Sequence, residues 1–184
     1  MTLTARTEID PAIKAYIDER LAGLERGRPD NQVSLVVFSG DFDRNLAALV
    51  IATGAAAMGL NVSIFYTFWG LSALKRQPRL SGKTFKEKMF ALMTPGHLGT
   101  MPVSKMNFGG AGRAMLKSMM RDKEVTSAEE LFDMAREMGV KLVACTMSMD
   151  VMGIQKEELI DGVALGGVAT FLGEAARSKV SLFI

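Results

Sequence analysis

The sequence predicts an α/β domain: a flavodoxin-like open parallel sheet of about five strands with helices on both faces, plus an N-terminal helix and a Met-rich insertion. Three apolar runs carry that reading. Residues 33–38 (VSLVVF), 62–68 (VSIFYTF) and 140–145 (VKLVAC) are continuous enough for strands buried on both faces. Helical segments separate them, and strands that alternate with helices imply parallel pairing through right-handed crossovers. The chain also has the material for one core, with 184 residues of which 48% are hydrophobic and 23% charged.

Each element has a local cause. Asp10-Pro11 opens a helix, with Asp as N-cap and Pro at the first helical position. Ile13, Tyr16, Ile17, Leu21 and Leu24 mark its apolar face, and Gly27 with the polar residues 28–31 ends it. Residues 1–31 are thus a helix and linker, expected to pack on the domain or a neighbouring subunit, and residues 32–184 are the α/β domain. Ser39-Gly40-Asp41 turns the first strand into an Ala-rich helix near 43–58, which Gly59 stops. The strand at 62–68 completes a βαβ unit.

Residues 70–123 are too long for an ordinary βα loop and form the insertion. Seven of the fourteen methionines lie between Met89 and Met120, and Gly96, Gly99, Gly109, Gly110 and Gly112 interrupt that stretch. Methionine suits packing over a sheet, a subunit interface or an adaptable binding surface. Ser127 with Glu130 is a capping-box pattern for a helix to Met138, and Gly139 stops it before the strand at 140–145. Short helical pieces at 148–152 and 156–160, broken at Gly153, lead to a short strand at 163–165. A helix over 166–178 and a strand at 180–184 finish the chain.

Composition excludes several classes. One cysteine rules out an intrachain disulfide and a Cys-based metal site within one subunit. One histidine makes any Ser–His–Asp enzyme depend on His97. The turn at 39–43 lacks both the G-x-G-x-x-G and P-loop patterns, and its acidic residues repel phosphate, so no nucleotide cofactor is expected. Residues 46–74 run 29 positions without a charge, long enough to span a bilayer. The pattern changes at Gly59 from helical to β-branched and aromatic, so a buried helix followed by a buried strand is expected instead. The N-terminus lacks a secretory signal pattern, which makes the cytoplasm the expected location. Residues 75–123 hold eleven Lys or Arg against two acidic residues, within a chain of net charge +2. That segment is either a solvated loop or a surface for an acidic protein, a membrane surface or a nucleic acid.

Cys145 is the strongest chemical candidate. It stands at the carboxyl end of a parallel strand, where open α/β sheets bind ligands, and Thr146 to Asp150 enter a helix whose N–H groups favour a thiolate. Thr146 and Ser148 are possible supporting residues, and Asp150 opposes the thiolate if it lies close. A buried structural cysteine is the competing reading. Ser39 and Gly40 sit at the equivalent end of the first strand. Gly109-Gly110-Ala111-Gly112-Arg113 is a glycine-rich loop that follows no clear strand, Gly166-Gly167 fits close packing, and His97 lies in a Pro-Gly-His loop expected to be solvated.

The segments VSLVVFSGDFDRNLAALVIATGAAAMGLNVSIFYTFWGL, KMFALM, SKMNFGGAGRAMLKSMM and VACTMSMDVMGI, followed by EELIDGV and LGGVATFLGEA, resemble the DsrE/DsrF-like family. The nearest match is its long branch, called DsrE2-like or peroxiredoxin-like, and the likeness covers residues 33–184. It implies a flavodoxin-like fold, assembly into homo-oligomers, and sulfur relay in which a cysteine carries a persulfide or thiosulfonate. TusA-like carriers and rhodaneses are the implied exchange partners, with no cofactor and no nucleic acid. The family cysteine in ACTMSMD matches Cys145, and a mechanism needing a second cysteine in the same subunit has none here. The residues give the peroxiredoxin label no support. Lys105, Arg113, Lys117 and Arg121 are the candidates for steering an acidic carrier or cradling an anionic adduct. A non-catalytic oligomeric scaffold and a peripheral membrane protein are the alternative functions.

Overall fold

The three apolar runs form the middle of one sheet. β1 (Asp30–Val37), β2 (Asn61–Tyr66) and β3 (Lys141–Cys145) lie side by side; β4 (Ala164–Gly166) extends the β3 edge and β5 (Ser178–Phe183) the β1 edge. The order is β4-β3-β2-β1-β5 and every pair is parallel. This computed structural model describes residues 10–26, 30–76 and 81–184. The expected helix stop at 27–29 lies outside the described residues, as do the side chains of Leu21 and Leu24.

Successive strand residues point to opposite faces. Val33, Leu35 and Val37 face the main core with Ile64, Leu142 and Ala144. There α2 (Phe42–Ala57) supplies Ala48, Leu49 and Ala52, and α5 (Ala128–Glu137) supplies Leu131, Phe132 and Ala135. The other face is thinner: Val36, Phe65, Val143 and Cys145 pack beneath Phe171 of α7 (Val168–Ala175). Helices therefore cover both faces, as expected. The uncharged stretch 46–74 resolves into helix, strand and a 3-10 turn, and no helix among the described residues is long and apolar enough to cross a membrane.

The boundaries shift where tertiary contacts win over local pattern. β2 stops at Tyr66 rather than at 68, because Phe68 takes the left-handed region (φ 46°) and starts a 3-10 helix, Phe68–Leu74. That helix folds across the end of β1: Thr67 N–H donates to the Val37 carbonyl at 3.0 Å and Gly70 N–H to the Phe38 carbonyl at 2.9 Å. A Cβ on Gly70 would overlap the Val37 carbonyl oxygen, so only glycine permits the approach. α6 (Thr146–Met152) begins directly after Cys145, two residues earlier than the pattern indicates, and ends at Gly153 with φ 64°. The 156–160 piece is a single 3-10 turn, Lys156–Glu158. α7 is shorter than 166–178 because Gly166 belongs to β4 and Ser178 to β5. The Ser127–Glu130 capping box forms as expected.

The insertion is anchored along the carboxyl edge of the sheet. It contains α3 (Phe85–Met93), opened by a Thr84–Glu87 capping box, and α4 (Ala111–Asp122). Leu98, Met101, Val103 and Met120 reach the main core. The Pro102 carbonyl accepts from Phe42 N–H at 2.7 Å, and Asp43 accepts from Ser104 N–H at 2.8 Å, tying the insertion to the start of α2. At its far end Lys83 and Glu158 form a buried ion pair at 2.5 Å. Buried Lys75 lies in the same electrostatic group and bridges Leu159 backbone to backbone.

α1 (Pro11–Arg26) is capped as expected, with Ala12 N–H donating to Asp10 Oδ1 at 2.8 Å. Its Ile13, Tyr16 and Ile17 remain exposed, so this face does not pack on the domain within one chain.

Candidate functional site

Parallel register brings a row of residues to the carboxyl rim. Val37 pairs with Tyr66, and Tyr66 with Ala144. One step further on, and on the α7 face, come Phe38, Thr67 and Cys145, with Gly166 paired to Cys145 from β4. The sulfur is therefore fixed by a buried strand below, the first turn of α6 above, and Thr67 of the neighbouring strand end beside it.

Cys145 is only 3% exposed. Burial pushes its thiol pKa up. The polar groups of Ser148, then the Thr67 hydroxyl and the Met147 N–H, surround the sulfur and outweigh burial, so the thiol is held below its ordinary value. Thr67 Oγ1 and Ser148 Oγ are also 2.8 Å apart, in a buried pair. Each hydroxyl carries one proton and one of the two lies between the oxygens, so the pair can accept from a thiol and offer its remaining proton to a thiolate.

Of the residues singled out in the sequence, Ser148 contacts the sulfur and Thr146 flanks it, its Oγ1 reaching the Gly166 carbonyl at 3.5 Å. Asp150 is exposed further along α6 and is not among the groups that act on Cys145. Ser39 and Gly40 lie at the end of β1, two strands away, where Ser39 Oγ donates to Asp41 Oδ2 at 2.8 Å. Arg113 is committed to the carbonyls of Thr100 and Met101. Lys117 pairs with Glu129 at 2.6 Å, and its ammonium lies 5.0 Å from the Phe42 ring centroid. Lys105 lines a groove between Met106, Met115 and Met119 on the insertion. The structure brings none of these three cations to Cys145. His97 caps the 3-10 turn at Leu98–Thr100 by accepting from Gly99 N–H at 3.2 Å, and so has a structural partner instead of a catalytic one.

Thr67 is the site residue that sequence reasoning passes over. Its signal was available: the runs VSIFYT and VKLVAC have equal length, so parallel pairing sets the last residue of one beside the last of the other.

A second feature of the rim is a cleft of about 380 Å³ between the β1–α2 turn and the insertion. Phe38, Trp69, Met93, Pro95 and Pro102 give it apolar walls, and Ser39, Gly40, Asp41, Arg44, Ser72 and Thr94 complete it.

Fold and site together define a parallel α/β domain that holds one buried cysteine at the carboxyl rim. The chain belongs to the DsrE/DsrF/DrsH-like family, whose profile matches residues 29–183. It is 47% identical over 154 residues to the uncharacterized protein YrkE of Bacillus subtilis, covering 83% of this chain and 96% of that one. It is 33% identical over 162 residues to the sulfur carrier protein DsrE2 of Allochromatium vinosum, covering 83% and 98%. Among solved structures, the YchN protein of E. coli aligns over 83% of this chain and 98% of its own, with a TM-score of 0.48 and 12% identity.

Proposed function

We propose that this protein is a sulfur-relay carrier that takes up sulfane sulfur on Cys145 and yields it to the thiolate of a partner. The observation that carries this reading is the placement of Cys145 at the end of β3 and the start of α6, beside the buried Thr67–Ser148 hydroxyl pair, polar surroundings that hold its thiol below the ordinary pKa despite burial. Membership of a family that includes a named sulfur carrier supports it. In the uptake step the Cys145 thiolate attacks the outer sulfur of a donor persulfide. A new S–S bond forms, the donor's S–S bond breaks, and the donor leaves as a thiolate. Delivery is the same exchange in reverse toward an acceptor. From a donor R–S–S–SO3⁻, the thiolate attacks the sulfane sulfur that bears the sulfonate, the R–S–S bond breaks, Cys145–S–S–SO3⁻ forms and R–S⁻ leaves. TusA-like carriers or rhodaneses fit as exchange partners, and the cytoplasm fits as the compartment, since a free thiol stays reduced there.

The 3% exposure of Cys145 favours the competing scaffold reading, in which the thiol is inert. Intact-mass analysis after mixing with a sulfane-sulfur donor separates the two. Wild type is expected to gain about 32 Da as a persulfide or about 112 Da as a thiosulfonate, by the atoms added in exchange, and Cys145→Ser to gain nothing. A wild-type protein that stays unmodified, and that iodoacetamide labels only in denaturant, establishes the scaffold reading.

A further inference from the structure

Cys145 is enclosed on every side, yet the sides differ in strength. β2 and β4 flank it within the sheet, the main core lies behind it, and the first turn of α6 closes the rim. The remaining side is the α7 face. There Cys145 shares a small cluster with Val36, Phe65 and Val143, beneath Phe171. Thr170 stands over Gly166, the residue paired with Cys145: a Cβ on that glycine would come within 3.3 Å of the Thr170 side chain. The first half of α7 is therefore the cover over the sulfur.

That half is weakly held. No residue of α7 is buried, and Val168 and Leu172, one turn apart, face solvent. The main packing contact of this half is the Phe171 ring against Phe65, with centroids 5.5 Å apart. Gly167 offers no side chain to cap the N–H groups of the first turn. The Thr146 hydroxyl reaches the Gly166 carbonyl only at 3.5 Å. The second half is tied down instead. Glu174 pairs with Lys141, and its carbonyl accepts from the Ser178 hydroxyl at 2.9 Å. Gly167 and Gly173 bracket the loose half, and a Cβ at either would meet nothing within 4 Å. Packing therefore does not require glycine at these two positions; what glycine adds there is backbone freedom.

We propose that residues 168–172 of α7 are a gate, hinged at Gly167 and Gly173, that opens to admit a sulfur donor or acceptor to Cys145. The inference rests on the carrier reading for its purpose, while the motion itself is read on the thiol. Opening unpacks one ring and a four-residue cluster and leaves the main core intact, so it is a local event well below global unfolding in cost. Closed, the gate shields a sulfur carried on Cys145 from water and stray thiols.

Cys145 is the chain's single thiol, so iodoacetamide labelling of the full chain in native buffer, followed by intact mass, reads the gate. Wild type is expected to label without denaturant, at a rate nearly flat in urea below the unfolding midpoint, because a local opening exposes little surface. Phe171→Ala, with folding checked by its melting curve, loosens the cover and is expected to speed labelling about tenfold. Gly167→Ala stiffens the hinge and is expected to slow it about threefold. Both are expected to leave the midpoint of the rate–pH curve in place, since Thr67, Met147 and Ser148 are not on α7. Loading of Cys145 from glutathione persulfide is expected to change in the same directions. Labelling without denaturant that neither variant alters overturns the gate and leaves the carrier role standing. Labelling that appears only across the global unfolding transition also overturns the gate. Labelling that follows the α7 variants while no sulfane sulfur loads overturns the carrier role and, with it, the purpose given to the gate.

Discussion

At Cys145 the balance between burial and hydrogen bonding decides the chemistry, and each donor can be removed separately. A hydrogen bond to a charged group is worth about 1.5–3 kcal/mol, roughly one pKa unit or more. Ser148→Ala is therefore expected to raise the thiol pKa by about one unit, leaving up to about tenfold less thiolate at neutral pH. Each thiolate is then about threefold more nucleophilic, since reactivity rises with basicity at a Brønsted slope near 0.4–0.5. The net expectation is a midpoint of the rate–pH curve displaced upward, with an alkylation rate up to about threefold lower at pH 7. An unchanged midpoint would show that Ser148 does not set the thiol's acidity. Thr67→Val is expected to act in the same direction. The cysteine was legible in the sequence because it ends a buried strand and begins a helix. Thr67 was less so, since its role appears only once two strands are set in register. The placement of Lys105 and Arg113 was not legible at all: nothing local in a 54-residue insertion says which strand end its cations will face.

The strands and helices follow their local patterns closely, and the exceptions arise where another element intrudes. Phe68 interrupts an otherwise good strand because the chain must fold over the end of β1, an event set by Gly70 against the Val37 carbonyl. The insertion offered only its glycines and its capping residues as signals. The buried Lys83–Glu158 pair, 75 residues apart in sequence, was invisible to any windowed pattern. That pair makes an asymmetric prediction. Glu158→Gln leaves two buried ammonium groups, Lys75 and Lys83, and is expected to cost about 3–5 kcal/mol in urea unfolding. Lys83→Met is expected to cost less, because Lys75 still faces Glu158. Equal losses in the two variants would show that Lys75 takes no part in the cluster. The lowered pKa of Lys75, caused first by burial and reinforced by Lys83 against the pull of Glu158, has the matching sign. The unfolded chain binds the proton more tightly there, so this group's contribution to stability rises with pH up to the ordinary lysine value of about 10.4.

For the molecule as a whole, several carboxylates set the acid limit. Asp43, Glu129 and Glu174 are pushed up by burial but held below their ordinary values by hydrogen bonds from Ser104, Lys117 and Lys141 respectively. Their stabilisation is complete above the unfolded values of about 4 and is lost as pH falls through the lower folded values. The urea midpoint is expected to be flat from pH 7 to about 5 on their account and to drop steeply below pH 4. Exposed apolar residues set a second expectation. Ile13, Tyr16 and Ile17 on α1, and Phe85, Met89, Leu92 and Met93 on α3, form stripes at helical spacing that stay exposed among the described residues. Light scattering is expected to report at least twice the 19.9 kDa chain mass, and a monomer at micromolar concentration would contradict this.

The pairing of β1 with β5 carries a consequence for how the protein is made. β1 sits between β2 and β5 in space, yet 140 residues of chain, 38–177, separate it from β5. During synthesis, β1 emerges early and keeps one row of backbone donors and acceptors unpaired until residues 178–183 leave the ribosome. Over that interval an apolar strand presents a bare edge, the geometry that templates intermolecular pairing. Closing so long a loop also makes the last step of sheet formation slow. Expression yield and solubility are thus expected to depend steeply on residues 178–183, so that a chain shortened before Ser178 accumulates as aggregate although Cys145 and all its hydrogen-bond partners remain in it.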